Sequence, residues 1–338
     1  MSDELCWMSA TELAGAIKRK KVSPLEVIEA ILARIEKLNP TLNAYCTVTA
    51  EAARREARAA ERALMRRGAR LGPLHGVPFS IKDLIITKGV RTTWGTRLYA
   101  DHVPEEDAPV VERLKAAGGI LVGKTNTPMF GWIGATHNLL FGATRSPWNL
   151  DRTPGGSSGG AGAAVAAGMG PLAVGTDGGG SIRIPSSFSG IFGLKPSYGR
   201  VPTYPFSAAW SLSHAGPMTR TVADAALMLN VLAGPDERDQ SSLPASGVDY
   251  VKALRGSLKG LRVAWSSTLG FAKVVDPEIA AVAERAARGF KHFGCRVDAV
   301  DPGFPDPSGA WNAIFGGGIA ARLKPYFPDR RADIDEGL

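Results

Sequence analysis

Cysteine is scarce in this chain: three among 338 residues, Cys6, Cys46 and Cys295, widely separated and odd in number. That excludes a disulfide framework and matches no zinc-ligand spacing, so a reducing cytoplasm is the expected compartment. No apolar run approaches the ~18 residues that a membrane span requires. The opening MSDELCWMSATEL lacks the basic start and apolar core of a secretory signal. Charged residues make up 21% against 44% apolar, which excludes a disordered chain. Internal repeats and long linkers are absent too; Ser241 to Ser246 reads as a surface loop. Three hundred and thirty-eight residues correspond to two ordinary domains or one large α/β unit.

Charge is present in excess of one sign, a net +8. Half of it lies between Glu51 and Arg70, where seven arginines face three glutamates on an alanine-rich helical stretch. Glu51/Arg54, Glu51/Arg55 and Arg58/Glu61 stand at helical neighbour spacings, and no aromatic residues are interleaved to stack on bases. This is the pattern of a solvated helix face, so neither nucleic acid nor membrane is an expected partner.

Helical start signals come early. Ser9 with Glu12 forms a capping box, and Ser23 with Glu26 forms a second, with Pro24 at the first helical position. Leu25, Ile28, Leu32, Ile35 and Leu38 make one apolar stripe, which Asn39-Pro40 is expected to end. After residue 70 the period shortens. Runs at 77–81, 120–122, 172–174, 261–265 and 296–300 read as strands. Helical stretches lie between them at 108–117, after Thr221 with Asp224, and from Asp276-Pro277-Glu278. The alternation predicts an α/β fold with a mixed, largely parallel central sheet, helices on both faces and a helical N-terminal layer over residues 1–70. One domain over residues 1–338 is expected.

What is abundant is glycine, forty residues, much of it in one region. Gly168-Met-Gly-Pro-Leu-Ala173 spells a dinucleotide fingerprint, but its helix precedes and its strand follows, the reverse of what that site needs. No Gly-Lys-Ser/Thr ending marks a phosphate loop. Gly156-Ser-Ser-Gly-Gly160 fits a nucleophile elbow only if a strand precedes it, and residues 147–154 do not read as one. Ser181 is the better nucleophile. It follows a strand end and three glycines, whose N–H groups can converge as an oxyanion hole requires. A serine hydroxyl needs a base. Lys82, closing the apolar run 77–81, can serve if burial holds it uncharged. Each feature alone also fits a flexible loop or a solvated strand end.

Taken together these segments resemble the amidase signature family. Gly155-Gly-Ser-Ser-Gly-Gly160 is followed by Gly175-Thr-Asp-Gly-Gly-Gly-Ser-Ile-Arg-Ile-Pro185, with Ser157 and Ser181 twenty-four residues apart, as in that family. His75-Gly-Val-Pro-Phe-Ser-Ile-Lys-Asp83 carries the lysine. Supporting matches are Gly123–Pro128, Phe141–Trp148, Gly193–Pro202 and His214–Arg220, and the resemblance extends to at least Gly234.

The resemblance implies an amidase that needs no cofactor and no metal. Ser181 would form an acyl-enzyme, and Ser157 would relay its proton to Lys82. The N–H groups of Gly178, Gly179, Gly180 and Ser181 would hold the oxyanion. Ser158, Asp177 and Arg183 are expected to support the loop, with Arg183 either in a structural ion pair or on the substrate. Gly131 is expected to line the pocket. The partner expected is a small amide, and a homodimer is admitted. Family members are longer, with a C-terminal portion that completes sheet and pocket, so a shortened chain is expected here. The glutaminase subunit of the tRNA-dependent amidotransferase is a close relative. It has Asp-Gln-Ile-Gly-Pro where this chain has Ser213-His-Ala-Gly-Pro217, and Gln and Cys at the places of Ile184 and Ser189. A stand-alone amidase is therefore preferred over such a glutaminase. An inactive scaffold and a basic nucleic-acid-binding module are the rivals from other classes.

Overall fold

The computed structural model describes residues 2–338. Its N-terminal layer holds α1 (Ser2–Trp7), α2 (Ala10–Lys18), α3 (Pro24–Leu42) and α4 (Ala50–Met65), with one short strand, β1 (Tyr45–Val48), between the last two. Both capping boxes form: the Ser9 and Ser23 side chains accept from the N–H of Glu12 and Glu26, and each glutamate accepts from its cap residue. The α3 stripe buries Val27, Ile28, Ile31, Leu32 and Ile35.

Pro40 does not end α3, which runs on to Leu42. The helix stops only where Asn43 turns left-handed at φ 49° and the Asn39 side chain accepts the N–H groups of Ala44 and Tyr45. A proline in the final turn forfeits one hydrogen bond, and the Asn39 cap compensates at the exit. The arginine-rich helix ends at Met65, and its Arg54 pairs with Glu29 on α3 as well as with Glu51.

The remaining elements are β2 (Pro78–Lys82), α5 (Pro109–Ala116), β3 (Ile120–Thr125), α6 (Gly159–Ala166), β4 (Leu172–Asp177), α7 (Arg183–Ser189), β5 (Phe192–Gly193), β6 (His214–Thr219), α8 (Val222–Leu232), α9 (Tyr250–Ala253), β7 (Arg262–Trp265), α10 (Pro277–Gly289), β8 (Arg296–Ala299) and α11 (Ser308–Leu323). Six strands form one sheet in the order β1-β3-β2-β4-β6-β5. β2 is central and parallel to both neighbours, β3 and β4, while β1 and β6 run the other way. Phe79, Ile81, Leu121 and Val174 on these strands share one apolar core with Leu13, Leu114 and Met228 from the covering helices. The mixed, mainly parallel sheet matches the sequence expectation. The edge strands β1 and β5, and β6 beside β5, were not visible in the pattern, being short or broken by Gly and Pro.

Contacts divide the chain into two compact units, residues 1–251 with 319–338, and residues 252–318. The second holds the two-stranded parallel sheet β7-β8 with α10. The first holds everything described below.

Candidate active site

Parallel neighbours end at the same edge of a sheet, which is how Lys82 and Asp177 meet. Lys82 is the last residue of β2, Asp177 the last of β4, and the two strands pair through Phe79–Leu172 to Ile81–Val174. Chemistry at the carboxyl ends of such strands is the usual arrangement in α/β sheets. Lys82 is fully buried. Its Nζ donates to Ser157 Oγ at 2.7 Å and to Thr176 Oγ1 at 2.9 Å. Burial pushes its ammonium well below the ordinary 10.5, against the pull of Asp177. A charged amine without a salt-bridged carboxylate is costly there, so the neutral form is favoured.

Ser157 sits in the loop that leads into α6, after a cis peptide bond from Gly156. Gly131 lies against it: at φ +74°, a Cβ placed on Gly131 would come within 2.9 Å of both Ser157 Oγ and Leu84 Cδ1. The next residue, Ser158, ties this loop to β4. Its hydroxyl donates to the Thr176 carbonyl at 3.2 Å and accepts the Thr176 N–H at 3.3 Å. Its own N–H donates to the Ser181 carbonyl at 3.3 Å. The two serine loops are thus joined through main chain. Ser181 Oγ has no hydrogen-bond partner among the described residues, and no bond links it to Ser157.

Asp177 organises the loop 178–182. It is buried, and its carboxylate accepts the N–H groups of Gly180 at 2.7 Å and Ile182 at 3.1 Å. It also takes the Arg183 guanidinium at 3.0 and 2.9 Å. Burial opposes its charge, but the Arg183 guanidinium and these N–H groups outweigh burial and hold the carboxyl below its usual range. Arg183 is therefore engaged as an ion pair, the first of the two roles expected for it.

The family model described as Amidase matches residues 26–324. The chain belongs to the amidase family. It is 44% identical over 337 residues to the acylamidase of Rhodococcus erythropolis, covering 99% of this chain and 70% of that protein. It is 47% identical over 292 residues to a glutamyl-tRNA(Gln) amidotransferase subunit of Moorella thermoacetica, covering 86% of this chain and 60% of that protein. The solved structure of a bacterial aryl acylamidase of the amidase signature family superposes with a TM-score of 0.92 at 38% identity, over 98% of this chain and 71% of that one. Family and fold are those of hydrolases that cleave amide C–N bonds.

The structure brings Lys82, Ser157, Gly131, Ser158, Asp177 and Arg183 into one place, and it engages one of the N–H groups expected for the oxyanion. Gly180 cannot offer its N–H to an oxyanion, because the Asp177 carboxylate already takes it. Sequence spacing puts the N–H there; the position of the carboxylate, set by the end of β4, decides what it binds. The structure also places at the buried lysine a residue to which the sequence reading gave no role, Thr176. Its place in the Gly175-Thr-Asp177 motif was the available signal. Thr176, together with Leu84, Ile85, Ile86, Trp94 and Phe130, lines a cavity of about 170 Å³ that adjoins the buried lysine. On another wall the chain from Pro202 to Ala208 passes through a cis Tyr204-Pro205 bond.

Proposed function

We propose that this amidase cleaves its amide through an acyl-enzyme on Ser181, with Lys82 as the base and Ser157 as the relay. The 2.7 Å contact between a fully buried lysine amine and the Ser157 hydroxyl carries this reading. With one N–H of a neutral Lys82 kept on Thr176, the 2.7 Å contact reverses, the Ser157 hydroxyl donating to the amine's lone pair, which takes its proton. Ser157 Oγ in turn takes the proton of Ser181 as Ser181 attacks the carbonyl carbon. The tetrahedral oxyanion is held by loop N–H groups, for which Gly179 and Ser181 have no other partner among the described residues. The C–N bond then breaks, and the leaving nitrogen takes a proton from Ser157, which Lys82 replaces. Water attacks the ester, gives its proton to the same relay, and Ser181 leaves as the alcohol.

The substrate class supported best is a small amide with an apolar or aromatic part. The cavity is walled by aliphatic and aromatic side chains, and the similar proteins include an acylamidase and an aryl acylamidase. A stand-alone enzyme is preferred to an amidotransferase component because Ser213–Pro217, Ile184 and Ser189 depart from the pattern of that relative. One family model spanning 26–324 supports treating both compact units as parts of a single amidase domain. None of the three cysteines is joined in a disulfide, which supports a reducing cytoplasm. No helix among the described residues is long and apolar enough to cross a membrane.

Labelling with a fluorophosphonate followed by mass mapping tests the reading. The adduct is expected on Ser181, and its yield should collapse in Lys82→Ala. An adduct on Ser157, or undiminished labelling without Lys82, overturns the assignment.

A further inference from the structure

The cavity beside Lys82 holds a charge that the chemistry above does not use. Arg322, in the last turn of α11, is the one charged side chain among the described residues that line it. Its guanidinium lies over the faces of two other lining residues, 5.5 Å from the Trp94 ring centre and 5.4 Å from that of Phe130. Neither a carboxylate nor a hydrogen-bond acceptor meets it among the described residues. A helix C-terminus attracts cations, and that accounts for an arginine in the last turn. It does not account for a guanidinium laid on two rings in a cavity wall with its N–H donors unfilled.

The platform beneath it is built rather than incidental. Tyr99 packs edge-on against Trp94 at 4.4 Å and Phe130 at 6.2 Å, and its hydroxyl meets that of Tyr326 at 2.7 Å, just beyond α11. Trp94 Nε1 donates to the Leu84 carbonyl at 3.2 Å, fixing the ring on the segment that follows Lys82. Stacking holds an arginine in place while leaving its N–H fork free, and that fork matches a carboxylate in two parallel bonds.

We infer that Arg322 is a specificity residue that binds a carboxylate carried by the substrate, so that the preferred amide has an apolar or aromatic body and a second, anionic end. The inference rests on the amidase reading of the site and names the substrate class within it. It makes this a site for half-amides of dicarboxylic acids or amides of amino-substituted aromatic acids, rather than for simple neutral amides.

The test compares matched pairs. Glutaric acid monoanilide against valeranilide places the carboxylate in the acyl part; para-acetamidobenzoate against para-acetotoluidide places it in the amine part. The wild type should favour the acidic member of at least one pair by about tenfold or more in kcat/KM, the scale of a charge-assisted contact. Arg322→Gln should abolish that ratio, and Arg322→Lys should retain part of it. The inference is overturned if neither pair shows a preference for the acid, or if Arg322→Gln keeps the preference. Isothermal titration with phenylacetate and phenethyl alcohol separates this from failure of the amidase reading. Were no anilide hydrolysed, tighter binding of phenylacetate that is lost in Arg322→Gln would still support the anion site, and equal binding of the two would sink it.

Discussion

A buried lysine is a poor cation and for that reason a usable base. The walls around Lys82 remove water, and Asp177 at the neighbouring strand end is spent on Arg183 and the loop amides, so it restores little of the charge. Activity should therefore rise with pH along a limb whose midpoint lies below 10.5, as Lys82 loses its proton. Lys82→Ala should cost about 10²–10⁴-fold in kcat and flatten the limb, measured as a pH–rate profile. The same shift has a stability consequence of determinate sign. Between the lowered folded value and 10.5, the unfolded chain holds a proton that the folded one does not, so stability contributed here grows with rising pH. The three proposed catalytic residues were legible because each lies in a dense local motif. Thr176 and Arg322 were not, since their roles depend on where a neighbouring strand ends and on a helix far along the chain.

Among the elements, α6 shows why this loop needs so much glycine. A Cβ on Gly160 would strike the main chain at the Asn126 amide and the Ala44 carbonyl, and one on Gly162 would press on Ser189 Oγ at 2.8 Å. The helix that follows Ser157 and Ser158 is packed against backbone, which holds those serines at a constant height above the sheet edge. Gly160→Ala, conservative by helix propensity, should destabilise the protein by about 1–3 kcal/mol through overpacking. Urea unfolding monitored by far-ultraviolet circular dichroism measures it, and a midpoint unchanged from wild type would contradict the packing argument. A second buried lysine, Lys124 on β3, is pushed down to about 8 by burial. It donates to Thr87 and Thr92 and lies 4.0 Å from Asp83, securing the turn that carries Leu84 and Ile85 into the cavity wall.

At the scale of the molecule, the N-terminal layer is attached by a buried carboxylate. Asp224, in the first turn of α8, accepts the N–H groups of Ala10 at 3.0 Å and Thr11 at 2.8 Å, more than two hundred residues away. It caps a helix to which it does not belong. Asp224→Ala leaves those donors unpaired inside the protein, at a cost of about 1–3 kcal/mol. Hydrogen exchange should then accelerate first in α1 and α2, ahead of the sheet; uniform acceleration everywhere would mean that the tether is not local. The two capping boxes at Ser9 and Ser23 were readable because they are local, whereas the Asp224 cap was not.

By itself the sequence determined the capped helix starts, the strands β2, β3, β4, β7 and β8, and the serine, lysine and glycine segments of the site, because hydrophobic period, capping and motif spacing act over a few residues. Only the tertiary structure decided that Lys82 and Asp177 share a sheet edge, that the Gly180 amide is taken by a carboxylate, and that Arg322 lies on Trp94 and Phe130. Those outcomes depend on parallel pairing and packing between residues far apart in the chain, and local pattern carries no record of them.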